Sequence, residues 1–103
     1  MDQNKRGTYI SIITGGIMQL AYIFSASEFY TLRVFFLKRS QTDLAKDLQC
    51  SLSLINLIES GNRKITPELS QRLVDLVKKS CGYDPQKDGS EYDFLSRCLK
   101  EIE

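Results

Sequence analysis

The residues of this chain that are equipped to act on a partner are hydrogen-bond donors and cations, not nucleophiles. The sequence has no histidine, which removes the commonest general base and the usual activator of a serine or cysteine nucleophile. Its three cysteines, Cys50, Cys81 and Cys98, stand far apart, with no C-x-x-C or Cys/His spacing that would hold zinc. An odd number of scattered thiols fits a reducing compartment. The expectation is therefore a protein that is not an enzyme, with no catalytic residue, metal or cofactor. What remains is Gln41 and the run Asn62-Arg63-Lys64. Gln41 falls at the start of a short helix, where free backbone donors and the positive end of the helix dipole favour a phosphate. Asn62, Arg63 and Lys64 follow the next helix and suit phosphates on its far side. The competing reading of each is an ordinary solvated side chain.

The elements that must position these groups are marked by local signals. Ser25 with Glu28 is a capping-box pair, and Phe29, Leu32, Phe36 and Phe35 recur at helical spacing up to Lys38. Ser40 caps a helix from Gln41 to Leu48, with Asp43 at the reciprocal position and Leu44, Ala45 and Leu48 facing inward. Ser51 caps a third helix to about Ser60 that buries Ile55 and Ile58 and is ended by Gly61. Thr66-Pro67 opens a fourth, with Leu69, Leu73, Leu76 and Val77 inward, fraying after Lys78-Lys79. Residues 82–89 read as a loop. Ser90 with Asp93 starts a last helix carrying Phe94, Leu95, Cys98, Leu99 and Ile102. The second and third helices are joined by so few residues that they must cross closely, and Ala45 is the small residue that permits it.

The amino-terminal 26 residues read differently. Residues 8–14 and 17–24 are rich in β-branched and aromatic side chains and flank Gly15-Gly16, a pair suited to a two-residue turn with positive φ at both positions. The prediction is a β-hairpin; a helix starting near Ile17 is the alternative. Pairing across the glycines puts Thr8, Ile10, Ile12, Ile17, Ala21 and Ile23 on one face and Tyr9, Ile13, Met18, Leu20 and Tyr22 on the other. Both faces are apolar, so one is expected to cover the helices while the other, or an edge, meets a second copy. The run Tyr9–Phe24 also has the outline of a signal peptide. It is short for a membrane span and broken by Thr14-Gly15-Gly16 and Gln19, so a cytoplasmic protein with no membrane partner is expected. At 103 residues the chain has room for one globular core, organised as an extension over 1–26 and a helical domain over 27–103. The net charge is +1, but residues 1–40 carry +3 and residues 81–103 carry −3, a split that suits one face toward a polyanion.

Residues 40–77, SQTDLAKDLQCSLSLINLIESGNRKITPELSQRLVDLV, resemble the Cro/lambda-repressor-like (XRE) helix-turn-helix family. The resemblance is carried by Ser40-Gln41, Leu44-Ala45, Leu48, Ser51, Ser53, Ile55, Ile58-Glu59, Gly61 and Arg63, followed by Thr66-Pro67-Glu68-Leu69. It implies a mainly α fold, a lambda-repressor-like bundle of about five helices to which the N-terminal β-hairpin is an extension. It also implies a repressor-like, sequence-specific transcriptional regulator that binds double-stranded DNA as a homodimer, with residues 51–60 in the major groove. The dimer contact would come from the hairpin, the last helix or both. The family's base-reading positions fall on Ser51, Leu52, Ser53 and Leu57, with Asn56 beside them. Leucine touches only a thymine methyl, so direct readout would rest on Ser51, Ser53 and Asn56. Leu54 is a third leucine expected on a wet surface. The triplet Leu52, Leu54 and Leu57 supports an alternative, a protein-interaction module such as an antirepressor or inhibitor that docks a protein partner. The family's first-helix arginine that pairs with the equivalent of Glu59 is displaced here, with Arg33 the nearest candidate and the helix re-registered to suit.

Overall fold

The computed structural model describes residues 6–101. It is mainly helical with one two-stranded antiparallel hairpin, the strands being β1 (Thr8–Thr14) and β2 (Ile17–Ile23). Tyr9 pairs with Tyr22 and Ile13 with Met18, the register expected from the two-residue turn. Gly15 and Gly16 hold φ of 60° and 80°, which is the backbone requirement that selects glycine at both turn positions.

Six α-helices follow: α1 (Ala26–Thr31), α2 (Gln41–Leu48), α3 (Leu52–Glu59), α4 (Pro67–Cys81), α5 (Pro85–Asp88) and α6 (Glu91–Glu101). The caps are the ones the sequence marks. Ser25, Ser40, Ser51 and Thr66 each accept a hydrogen bond from the backbone N–H three residues on, and Ser25 with Glu28 closes a full capping box. Beyond Thr31, α1 continues without a break as a π-helical segment over Leu32–Leu37, ending at Lys38 in the left-handed region with φ 55°. The wider π turn changes which residues face the core. Leu37 is buried, Phe36 is half-buried, and Phe35, expected to face inward, is 66% exposed.

Other expectations are corrected in detail. The fourth helix does not fray at Lys79 but runs to Cys81 and stops at Gly82 (φ 65°). On its inner face Ser70 and Val74 are buried along with Leu69, Leu73 and Val77, whereas Leu76 is only partly covered. The stretch expected to be a loop contains the short helix α5, with Pro85 at its start and the Asp84 side chain accepting from the Gln86 N–H. Ile102 lies outside the described residues.

One core joins the hairpin and every helix but α5. Phe29, Leu32, Leu44, Leu48, Ile55, Ile58, Leu73 and Val77 are at most 2% exposed. The hairpin base adds Tyr22 and Phe24 to the same cluster, and α6 adds Phe94, Leu95, Cys98 and Leu99. The α6 helix is tied on by the Lys78–Glu91 ion pair (2.7 Å), by Tyr83 against Phe94, and by Tyr9 stacked on Tyr92. Among the described residues no helix is long and apolar enough to cross a membrane.

Candidate functional site

The site is built on the pair α2–α3, joined by Gln49-Cys50-Ser51. Gln49 closes α2 in the left-handed region (φ 57°), and the Cys50 N–H returns to the Ala45 carbonyl (2.9 Å), which folds the chain tightly enough for α3 to cross α2 at once. Leu44, Ala45 and Leu48 of α2 and Ile55 and Ile58 of α3 fill the space beneath, all buried as expected from their spacing. Arg72 of α4 donates to the Leu48 carbonyl (2.9 Å), satisfying a helix-terminal acceptor at the turn.

A half-buried polar cluster fixes the pair to α1. Arg33 donates from Nε to Glu59 Oε2 (2.6 Å) and from Nη2 to Glu59 Oε1 (3.0 Å), a bidentate pair with side chains only 12% and 7% exposed. A further guanidinium nitrogen of Arg33 donates to the Arg39 carbonyl (3.0 Å). Gln41 Nε2 donates to Glu59 Oε1 (2.9 Å), so the amide expected at a phosphate is tied into this cluster and one of its hydrogens is committed. The π-helical segment begins at Leu32, so Arg33 stands at its second residue. The expected pairing of Arg33 with Glu59 is present in the fold.

What this clamp leaves outward is the far side of α3. Ser53 and Asn56 are exposed, Ser51 is exposed while its hydroxyl accepts from the Leu54 N–H (3.1 Å), and Leu52 and Leu57 are 47% and 38% exposed. Leu54, expected on the wet surface, is half-buried and packed against the core, so the expected triplet is a pair. Past α3 the chain turns sharply. The Asn62 and Arg63 N–H groups both donate to the Leu57 carbonyl (2.9 and 3.2 Å), and the Asn62 side chain donates to Ser60 Oγ (2.8 Å). Arg63 and Lys64 therefore leave the end of α3 in a fixed direction, are exposed, and take part in none of the ion pairs among the described residues. Together with Arg6 they line a groove of about 350 Å³ between the hairpin base and the α3–α4 connection.

The nine residues singled out in the sequence thus fall into three sets. Ser51, Leu52, Ser53, Asn56 and Leu57 share the outward surface of α3; Asn62, Arg63 and Lys64 stand at its carboxyl end; Gln41 is held at its flank by Glu59. Arg6 was not singled out, because nothing local links it to residues 63 and 64; only the return of the hairpin base brings it there. Comparison with protein-family models, with curated proteins and with solved structures finds no match to this chain.

Proposed function

We propose that the chain is a lambda-repressor-like helix-turn-helix protein that binds double-stranded DNA sequence-specifically as a homodimer and regulates transcription, repressor-like, with α3 in the major groove. The observation that carries this reading is the Arg33–Glu59–Gln41 clamp. It fixes α3 against α1 and α2 by its inner side while its outer side keeps Ser53 and Asn56 exposed, with Arg63 and Lys64 at its end. A helix held this way presents a rigid, uncharged reading edge, and the adjacent cations supply phosphate contacts that set register but carry no sequence information. Asn56 carries an amide, the group that can give a bidentate contact to adenine, and Leu52 and Leu57 suit thymine methyls. Two such copies would meet half-sites about 34 Å apart, one turn of the duplex.

The test is selection of random duplexes by the full chain at two salt concentrations, followed by sequencing. The expected result is an inverted-repeat site. With Arg63 and Lys64 of two copies on phosphates, its affinity should fall about a hundredfold between 50 and 200 mM salt. Arg63→Ala should weaken all duplexes alike and flatten the salt slope by about one per copy, whereas Asn56→Ala should relax one base position. If no site is enriched and duplex binding is absent at low salt, the DNA reading fails. The protein-docking alternative is weakened by the partial burial of Leu54, which packs one of its three leucines against the core.

A further inference from the structure

No charged residue stands between Arg6 and Glu28, and the whole hairpin lies in that interval. Exposed strands are normally guarded by lysine, proline or inward charge, and this one has none of them. Ile13, Met18 and Leu20 share the sheet face of Tyr9 and Tyr22 and are 73%, 69% and 65% exposed. Toward the base of the hairpin, Tyr9 stacks on Tyr92, itself 56% exposed. Leu20 and Tyr92 border a hollow of about 170 Å³ that is also lined by Val74 and Leu95. The apolar face is thus an outward continuation of the core that the described residues do not cover.

We propose that this face docks a second copy of the same chain, the two hairpins packing face to face across a twofold axis with Ile13, Met18 and Leu20 at the centre. The first reason is area. Those three side chains with Tyr92 expose on the order of 500 Å² per copy, at the upper end of what a monomer leaves uncovered. Full covering of these side chains on two copies would remove at most about 1,000 Å² from water, which reaches the lower bound of a specific interface. The second reason is charge. An uncharged patch meets itself without repulsion, whereas a polyanion or a charged peptide would find nothing there to pair with. The third is shape: the hollow beside Leu20 offers a seat for a facing side chain, with Gln71 and Glu91 as a polar rim. A twofold axis makes the patch its own complement. No residue of this face lies on α3 or in the Asn62–Lys64 run, so docking leaves the candidate nucleic-acid surface open. The inference rests on the DNA reading for the purpose of the second copy, not for its presence.

Sedimentation equilibrium of the full chain in the absence of DNA tests it. The wild type is expected to be a dimer. The double variant Met18→Lys, Leu20→Lys is expected to be monomeric, with the dissociation constant raised at least about thirtyfold, while its circular dichroism stays that of the folded protein. Leu20→Ser, which adds no charge and sits at an exposed position, should shift the constant in the same direction and guards against misfolding of the double variant. Leu52→Lys on α3 should leave the dimer intact. A wild type that is monomeric throughout, or a folded Met18→Lys, Leu20→Lys protein that still dimerises as the wild type does, overturns the proposal. The two readings separate cleanly. A monomer that selects a single half-site rejects this interface and spares DNA binding; a dimer that selects no duplex supports the interface and rejects DNA binding.

Discussion

Two carboxyl groups, the buried Glu28 and the half-buried Glu59, have equivalent jobs: each ties a neighbouring segment to the helices. They are satisfied in opposite ways. Glu59 meets a guanidinium, with Arg33 bidentate at 2.6 and 3.0 Å and the Gln41 amide alongside. Glu28, 7% exposed, accepts among the described residues from neutral donors: the Tyr22 hydroxyl (2.8 Å to Oε2), the Gly7 N–H (3.0 Å) and the Ser25 N–H (3.1 Å). The Glu59 cluster joins elements that stay rigidly together, α1, α2 and α3. The Glu28 cluster joins the start of β1 and the end of β2 to the first turn of α1. Charge pairing makes the first hard to remove without an orphaned cation, whereas the second depends on close backbone approach. Gly7 shows how close: a Cβ there would stand 2.0 Å from the Ile23 carbonyl oxygen. Rigidity around α3 is thus held by electrostatics, and attachment of the hairpin by geometry.

The largest effect is expected at the charged cluster. Glu59→Ala leaves Arg33 buried without its partner and should cost about 3 to 5 kcal/mol in urea unfolding. A loss below 1 kcal/mol would mean that Arg33 simply swings to water and that the two clusters do not differ in kind. Glu28→Ala removes the acceptor of three donors and should cost about 2 to 3 kcal/mol, with most of the change read as early loss of hairpin signals in hydrogen exchange. Tyr22→Phe, which keeps the ring and its edge contacts with Tyr9 and Phe24, should cost about 1.5 to 2 kcal/mol.

The same substitution carries a pH signature. Burial, then the hydrogen bond to and the charge of Glu28, hold the Tyr22 phenol well above its ordinary value of 10. A proton held more tightly in the folded state than in the unfolded one stabilises fully below pH 10 and is lost progressively as pH rises above it. Wild-type stability should therefore decline above pH 10, and the Tyr22→Phe protein should decline less; equal slopes would remove Tyr22 from the account. The smallest effect is at Arg39–Asp47, an ion pair as short as the one at Glu59 but 40% and 30% exposed. Arg39→Ala should change stability by no more than about 0.5 kcal/mol, because water screens the pair.

How far the sequence announces this fold follows from the range of the forces involved. The helices α2, α3 and α4 are legible because their caps are local: Ser40, Ser51 and Thr66 each find a partner three residues on. The hairpin is legible because Gly15-Gly16 permits a backbone that other residues resist. The π-helical segment is not, since Phe35-Phe36-Leu37 offers apolar side chains in either phase and only packing chooses between them. Within the site, the exposure of Ser53, Asn56, Leu52 and Leu57 follows from helical periodicity once Ile55 and Ile58 are placed inward. The commitment of Gln41 to Glu59 does not, because it depends on where Arg33 lands. Glu28 reads as a capping residue and is one, yet its bonds to Tyr22 and Gly7 arise only when the hairpin folds back over α1.

The π-helical segment has one more consequence, for changes in chain length. A deletion inside α2 or α4 would rotate every later side chain by about 100° around the axis and empty the core of its proper occupants. A helix wound with i→i+5 bonds is one residue longer than it needs to be between its ends. Phe35, exposed within that winding, is the residue whose deletion is expected to cost least, with α1 closing up as a plain α-helix and Arg33 and Leu37 keeping their places. The first helix thereby holds a unit of slack, a point where evolution or an engineer can shorten the polypeptide without re-reading the rest.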